Sequence, residues 1–331
     1  MRRTFTFRNI APYALLAPGL LWLAIFFAYP AIQMFLVSLW TGNITEGFQQ
    51  TWNWSIYPQA FSEYWPWIGR SIVYGGLATI LAFSLGFPLA YAIAFRGGHY
   101  KNLLLFMVIA PFFTSFLLRT ISWKIILSDG GPFLAPLKAL GIIPADFQLL
   151  ATPAAVIAGI TYNFLPFMTL PLYVALEKID RRLLEAAEDL YAGPWRPQGT
   201  VVGLVIGGVL GVIVGIVMDY GPFALGIPGL ILGGVVGTWF VSEAFIRVTL
   251  PLALPGIFAG SLLTFIPAVG DYVNAALLGN PQALMIGNVI EARYLKVTDY
   301  PTASALSFIL MAAILIGVLI YTRLLGTEDL V

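Results

Sequence analysis

Residues 177–196 read EKIDRRLLEAAEDLYAGPWR, with five acidic and four basic side chains, in a chain only 10% charged. Long apolar runs flank this stretch. Its charges require water, so it marks a loop on one side of a membrane, where a soluble partner can reach it. Over the whole chain of 331 residues, 59% are hydrophobic and the mean hydropathy is +0.87. A soluble domain carries about 25% charged residues, so the composition is that of a membrane protein.

A bilayer core about 30 Å thick takes about 20 apolar residues per helix. Six runs meet that length: residues 11–39, 68–95, 103–127, 152–176, 251–272 and 303–325. The expected fold is therefore all-α, a polytopic transmembrane helix bundle. With Met1 in the cytoplasm, Arg2, Arg3, Arg8, Arg96, Lys101, Lys178, Arg181, Arg182, Arg196, Arg247 and Arg323 fall on one side, 11 of the 17 Lys and Arg. This bias places both termini in the cytoplasm of a multi-pass inner-membrane protein. The first run is too long for a cleaved signal and reads as an uncleaved anchor.

Several function classes drop out. Without cysteine there is no disulfide, thiolate metal site or thiol nucleophile. Neither a G-x-x-x-x-G-K-[ST] phosphate loop nor an H-E-x-x-H zinc motif occurs. No catalytic residue, metal or cofactor is expected, and the chain cannot itself cradle ATP by the phosphate-loop device. The net charge of +1 gives no basis for nucleic-acid binding. The single histidine, His99, reads as a solvated loop residue.

On the outward side, residues 41–69 hold Trp52, Trp54, Trp65 and Trp67, an aromatic set typical of a membrane interface. The stretch 284–295 has helical apolar spacing but is too short and polar to span, and is expected to lie along the outer interface. On the inward side, Asp180 is placed to cap a helix starting at Arg181, which Gly193-Pro194 would stop. Ala186 and Ala187 give that helix a smooth face, and Glu185, Glu188 and Asp189 offer pairing groups.

This loop resembles the Glu-Ala-Ala loop of permease subunits of binding-protein-dependent ABC importers. That motif reads EAA, three residues, Gly, nine residues, Ile, one residue, Leu-Pro. Here Glu185-Ala186-Ala187 is followed by Tyr191 at the Gly position, and Val248, Thr249 and Leu250-Pro251 come into register once residues 197–243 are skipped. The stretches APFFTSFLLRTISWKIIL (110–127), LPFMTLPLYVALEKID (165–180) and GDYVNAALLGNPQALMIGNVIEARYL (270–295) are similar to the spermidine/putrescine branch. The resemblance implies a type I importer permease of six core spans. It also implies two copies of an ATPase gripping Glu185, Ala186, Ala187, Asp189, Tyr191 and Gly193, a second permease subunit, an extracytoplasmic binding protein and a polyamine substrate. Tyr191 departs from the motif, and Gly193 is the nearby residue free to take over the turn.

The insertion divides the chain into a permease domain, residues 1–196 and 244–331, and a segment, residues 197–243. Gly203, Gly207, Gly211 and Gly215 recur every four residues, as do Gly229, Gly233 and Gly237. Such seams let two helices approach closely in membrane lipid, so the segment is expected to form a two-helix glycine-rich membrane hairpin. The competing function is a glycine-zipper-driven oligomeric structural or channel protein.

Polar groups at membrane depth are costly, which makes them functional candidates. Asn163 falls mid-span, and Asp271 and Glu291 fall at or near outward ends, where they would attract a cation. Tyr162 and Tyr272 are placed to add cation-π contacts to an ammonium.

Overall fold

A computed structural model describes residues 7–190 and 245–325. The glycine-rich segment 197–243, with Gly203 to Gly237, and the positions Tyr191 and Gly193 lie outside the described residues. By contact the chain forms two compact units, residues 1–66 with 289–316 and residues 67–288 with 317–331.

In the first unit, α1 (Phe7–Leu23) runs through a π turn into α2 (Tyr29–Ser38). An 18-residue apolar window within Leu15–Ser38 is 0% buried, whereas Ser38 at the end of α2 is fully buried. An antiparallel hairpin follows, β1 (Trp40–Asn43) with β2 (Gly47–Gln50), pairing Trp40 with Gln50 and Asn43 with Gly47. Asn43 Oδ1 accepts from the Thr45 and Glu46 amides at 3.0 and 2.9 Å, which closes the turn. The hairpin is a small β addition to a helical fold, within the outward loop predicted from sequence. Aromatic contacts hold the unit: Phe35 stands edge-on to Phe308 at 5.5 Å, and Phe48 lies 5.4 Å from Tyr300. Trp52, Trp54 and Trp65 are each more than half exposed, as interfacial aromatics would be.

Helix α3 (Ile56–Tyr91) begins well before the predicted residue 68 and continues through a π turn to Arg96. In the second unit, α4 (Lys101–Ile109) and α5 (Phe116–Ile126) replace the single straight span read over residues 103–127. The apolar path bends by 97° between them. Pro111 sits in the short 3-10 turn that ends α4, and Thr114 and Ser115 adopt extended ψ values of 150° and 138°, which breaks the helix. After α6 (Leu134–Ala139) comes α7 (Pro153–Glu177), capped by the Thr152 hydroxyl. Its apolar window is 67% buried, against 22% for the C-terminal span, so α7 is the axis of this unit.

Two hydrophobic clusters line α7. The first gathers Val156, Ile160 and Phe164 with Tyr74, Leu278 and Met285; the second gathers Met168, Leu172 and Leu176 with Phe87, Ile93 and Ala253. Helix α8 (Arg181–Leu190) follows, and beyond residue 244 come a π turn (Phe245–Thr249), α9 (Leu254–Val269), α10 (Val273–Leu278) and α11 (Ile286–Glu291). Helix α12 (Tyr300–Leu325) closes the described chain. Close approach of α9 to α7 depends on glycine. A Cβ on Gly256 would fall 2.5 Å from Ala175 Cβ and 2.7 Å from the Pro171 carbonyl oxygen.

Among the described residues, four helices are long and apolar enough to cross a membrane, or five if the bent pair counts as one span. The remaining predicted span, residues 251–272, corresponds to the shorter apolar helix α9, 16 residues long. The stretch 284–295 departs from its sequence reading at the start. Met285 and Ile286 are fully buried, because the Arg70 guanidinium donates to the Leu284 carbonyl at 2.8 Å and the Ile286 amide donates to Ser71 Oγ at 2.8 Å. Those bonds draw the segment into protein rather than into the lipid interface.

Candidate functional site

Two places collect the sequence candidates. At α8, Asp180 Oδ1 accepts the Arg182 amide at 3.0 Å, the cap expected from sequence. Arg181 donates to the Phe95 carbonyl at 3.3 Å, tying the start of α8 to the end of α3. Ala187 is buried and Leu184 packs against the second cluster, so one face of α8 is committed to the fold. The adjoining face is not. Leu183 is 52% exposed and Leu190 76%, and Ala186 between them is exposed as well. Their i, i+3, i+7 spacing forms an apolar stripe in a helix otherwise charged. Glu185 and Asp189 are exposed beside it. Exposed apolar residues rimmed by charge are what a protein partner covers.

The second place is a buried polar chain. Asp271 Oδ1 accepts the Asn274 amide at 2.8 Å, and its Oδ2 accepts from Asn274 Nδ2 at 2.6 Å. Asn274 Oδ1 in turn accepts from Asn163 Nδ2 at 3.1 Å and from the Thr120 hydroxyl at 3.3 Å. Asn163 Nδ2 also donates to Thr120 Oγ1 at 3.2 Å. All four side chains are buried, and the chain ties α5, α7 and α10 together. It ends on Asn163 Oδ1, a buried acceptor that receives no hydrogen bond.

Sequence reasoning named Asn163 and Asp271 but missed Thr120 and Asn274, which join them. The available signal was Asn274 three residues after Asp271, the spacing of a local carboxylate cap. Tyr162 stands edge-on to Trp123 at 5.2 Å. Tyr272 is half exposed, and its carbonyl accepts from Asn288 Nδ2 at 2.7 Å. Glu291, in the first unit, pairs with Lys296 at 3.4 Å. The geometry thus joins Asn163 to Asp271 and leaves Tyr162 and Tyr272 in separate contacts.

No protein-family model matches the chain. Among curated relatives, it is 32% identical over 303 residues to the spermidine/putrescine transport system permease protein PotB of Haemophilus influenzae, covering 91% of this chain and 90% of that one. It is 34% identical over 247 residues to PotB of Escherichia coli, covering 75% and 73%. Among solved structures, a bacterial ABC transporter that imports the acidic polysaccharide alginate aligns with a TM-score of 0.66 at 18% identity, covering 97% of each chain. That alignment supports the importer-permease fold. The relatives carry the rest: this chain belongs to the spermidine/putrescine-type permeases of ABC importers.

Proposed function

We infer that the chain is the membrane-spanning, non-catalytic subunit of an ATP-driven importer that moves a polyamine such as spermidine or putrescine into a bacterial cell. The observation that carries the coupling half of this reading is the uncovered face of α8, with Leu183, Ala186 and Leu190 flanked by Glu185 and Asp189. An acidic, apolar-striped helix left uncovered on a membrane subunit suits the docking of a soluble motor. Two copies of an ATPase subunit fill that role in the assembly, one against this chain and one against a second permease. The bare apolar window within Leu15–Ser38 fits lipid or that second permease. An extracytoplasmic binding protein delivers the substrate, and both termini face the cytoplasm.

For the substrate, the names of the relatives point to polyamines, and the buried chain supplies fitting chemistry. Asp271 polarises Asn274 and Asn274 polarises Asn163, so the unpartnered, buried Asn163 Oδ1 is an enhanced hydrogen-bond acceptor. Within the same unit Asp271 supplies negative charge, and Tyr162 and Tyr272 supply aromatic faces.

The test is uptake of radiolabelled spermidine into proteoliposomes holding the permease pair, the ATPase and the binding protein. Saturable, ATP-dependent uptake with competition by unlabelled putrescine is expected. Uptake without ATP, or competition by alginate oligosaccharide but not by polyamine, contradicts the reading.

A further inference from the structure

Helix α8 and the π turn Phe245–Thr249 that leads to α9 are separated by residues 191–244, yet they meet. Leu184 of α8, Phe245 and Leu250 pack against the same buried cluster, built on Leu172, Leu176 and Ala253. The π turn Phe245–Thr249 lies against α8 itself. Phe245 stands edge-on to Phe87 at 5.3 Å and to Tyr91 at 6.4 Å, both on α3. At its other end the turn is fixed to α9. Thr249 is 3% exposed, and its carbonyl accepts the Ala253 amide at 3.0 Å.

A close-packed interior transmits displacement by contact. A push on α8 therefore has a short route to α9 that does not follow the covalent chain. We propose that the coupling stroke passes from α8 to α9 through this packed joint, with Phe245 as its positioning residue, and that transmission does not require an unbroken chain between α8 and Phe245. The proposal rests on the reading of α8 as the docking element of the ATPase. It goes beyond that reading in assigning the transmission to side-chain contact and in removing the interruption of the Glu-Ala-Ala loop as an obstacle to transport.

The test uses the full chain in the reconstituted importer. A protease site is introduced beside Gln198 and cut after assembly, so folding precedes cutting. Uptake of spermidine within twofold of the uncut importer, with both fragments still co-purifying, is the expected result. In the uncut chain, Phe245→Ala is expected to lower uptake at least fivefold while the ATPase still co-purifies and hydrolyses ATP, and Phe245→Leu is expected to recover part of the loss. Loss of uptake on cutting with the ATPase still bound overturns the proposal. So does full uptake by Phe245→Ala and Phe87→Ala together. Failure of the docking reading is recognised separately, as an ATPase that stays bound to a Glu185→Lys permease.

Discussion

Asn163 Nδ2 donates to Asn274 Oδ1 across 3.1 Å, joining α7 to α10 where both side chains are at most 1% exposed. This bond sits in the middle of a directed chain. Asp271 anchors one end through two bonds to Asn274, and the other end is a carbonyl oxygen without a donor. Direction matters for function and for stability alike. Removing the middle member strands its neighbours, whereas removing the terminal member strands less.

Asn274→Leu is accordingly expected to destabilise the protein more than Asn163→Leu. The first leaves the buried Asp271 Oδ2 without its side-chain donor, at a cost of about 1–3 kcal/mol. The second loses two bonds but also removes the unpartnered Asn163 Oδ1, for a smaller net effect near the membrane-protein average of about 0.6 kcal/mol. Thermal unfolding in detergent, followed by size-exclusion chromatography, ranks the two. The reverse order would mean that Asn274 is not the centre of the chain.

Gly256→Leu is expected to loosen α9 from α7. Even one added carbon would meet Ala175 Cβ at 2.5 Å and Pro171 O at 2.7 Å, and forced overpacking typically costs about 1–3 kcal/mol. Gly317→Ala is the control. Nothing lies within 4 Å of a Cβ there, and alanine favours helix over glycine by about 1 kcal/mol. The same unfolding assay should show a lower midpoint for the first and an unchanged or higher one for the second.

Arg293 offers a different kind of test. Its guanidinium lies 3.6 Å from Glu63 and 3.5 Å from Asp299, donates to the Tyr64 hydroxyl and sits 5.5 Å from the Tyr64 ring centre. Glu63 is largely exposed, so water and salt screen that pair. Arg293→Ala should lower stability by no more than about 1 kcal/mol per exposed pair lost. The difference from wild type should shrink as salt rises from about 0.05 to 0.5 M, because the Debye length shortens to a few ångströms. A salt-independent loss would assign the effect to the Tyr64 contact instead.

Much of the fold was legible because membrane solvent imposes a coarse rule: apolar length becomes a span. Each of the six runs has a helical counterpart. What composition could not show was shape. The 97° break at Thr114–Ser115 lies inside an apolar run, where hydropathy is blind to backbone direction. The burial of Met285 and Ile286 depends on bonds from Arg70 and Ser71, more than 200 positions away. Such long-range satisfaction of backbone groups has no local signature.

The cap of α8 was legible at Asp180, because capping is a local bond. The two faces of that helix were less so. Ala186 and Ala187 are neighbours in sequence, yet one is exposed and the other buried. Only the packing of Leu184 and Ala187 into the fold shows which side is left for a partner. Likewise, Asn163 and Asp271 stood out as polar residues in apolar surroundings, but their link through Asn274 and Thr120 required three elements to converge.

The claim on which the account turns is that the outer face of α8 is gripped by a separate ATPase. Co-purification of that ATPase with affinity-tagged permease, comparing wild type, Glu185→Lys and Leu183→Asp, tests it directly. The account predicts a stoichiometric complex for wild type and at least a tenfold loss of bound ATPase for both variants, with the permease still folded and in the membrane. Full retention of the ATPase by both variants would contradict it.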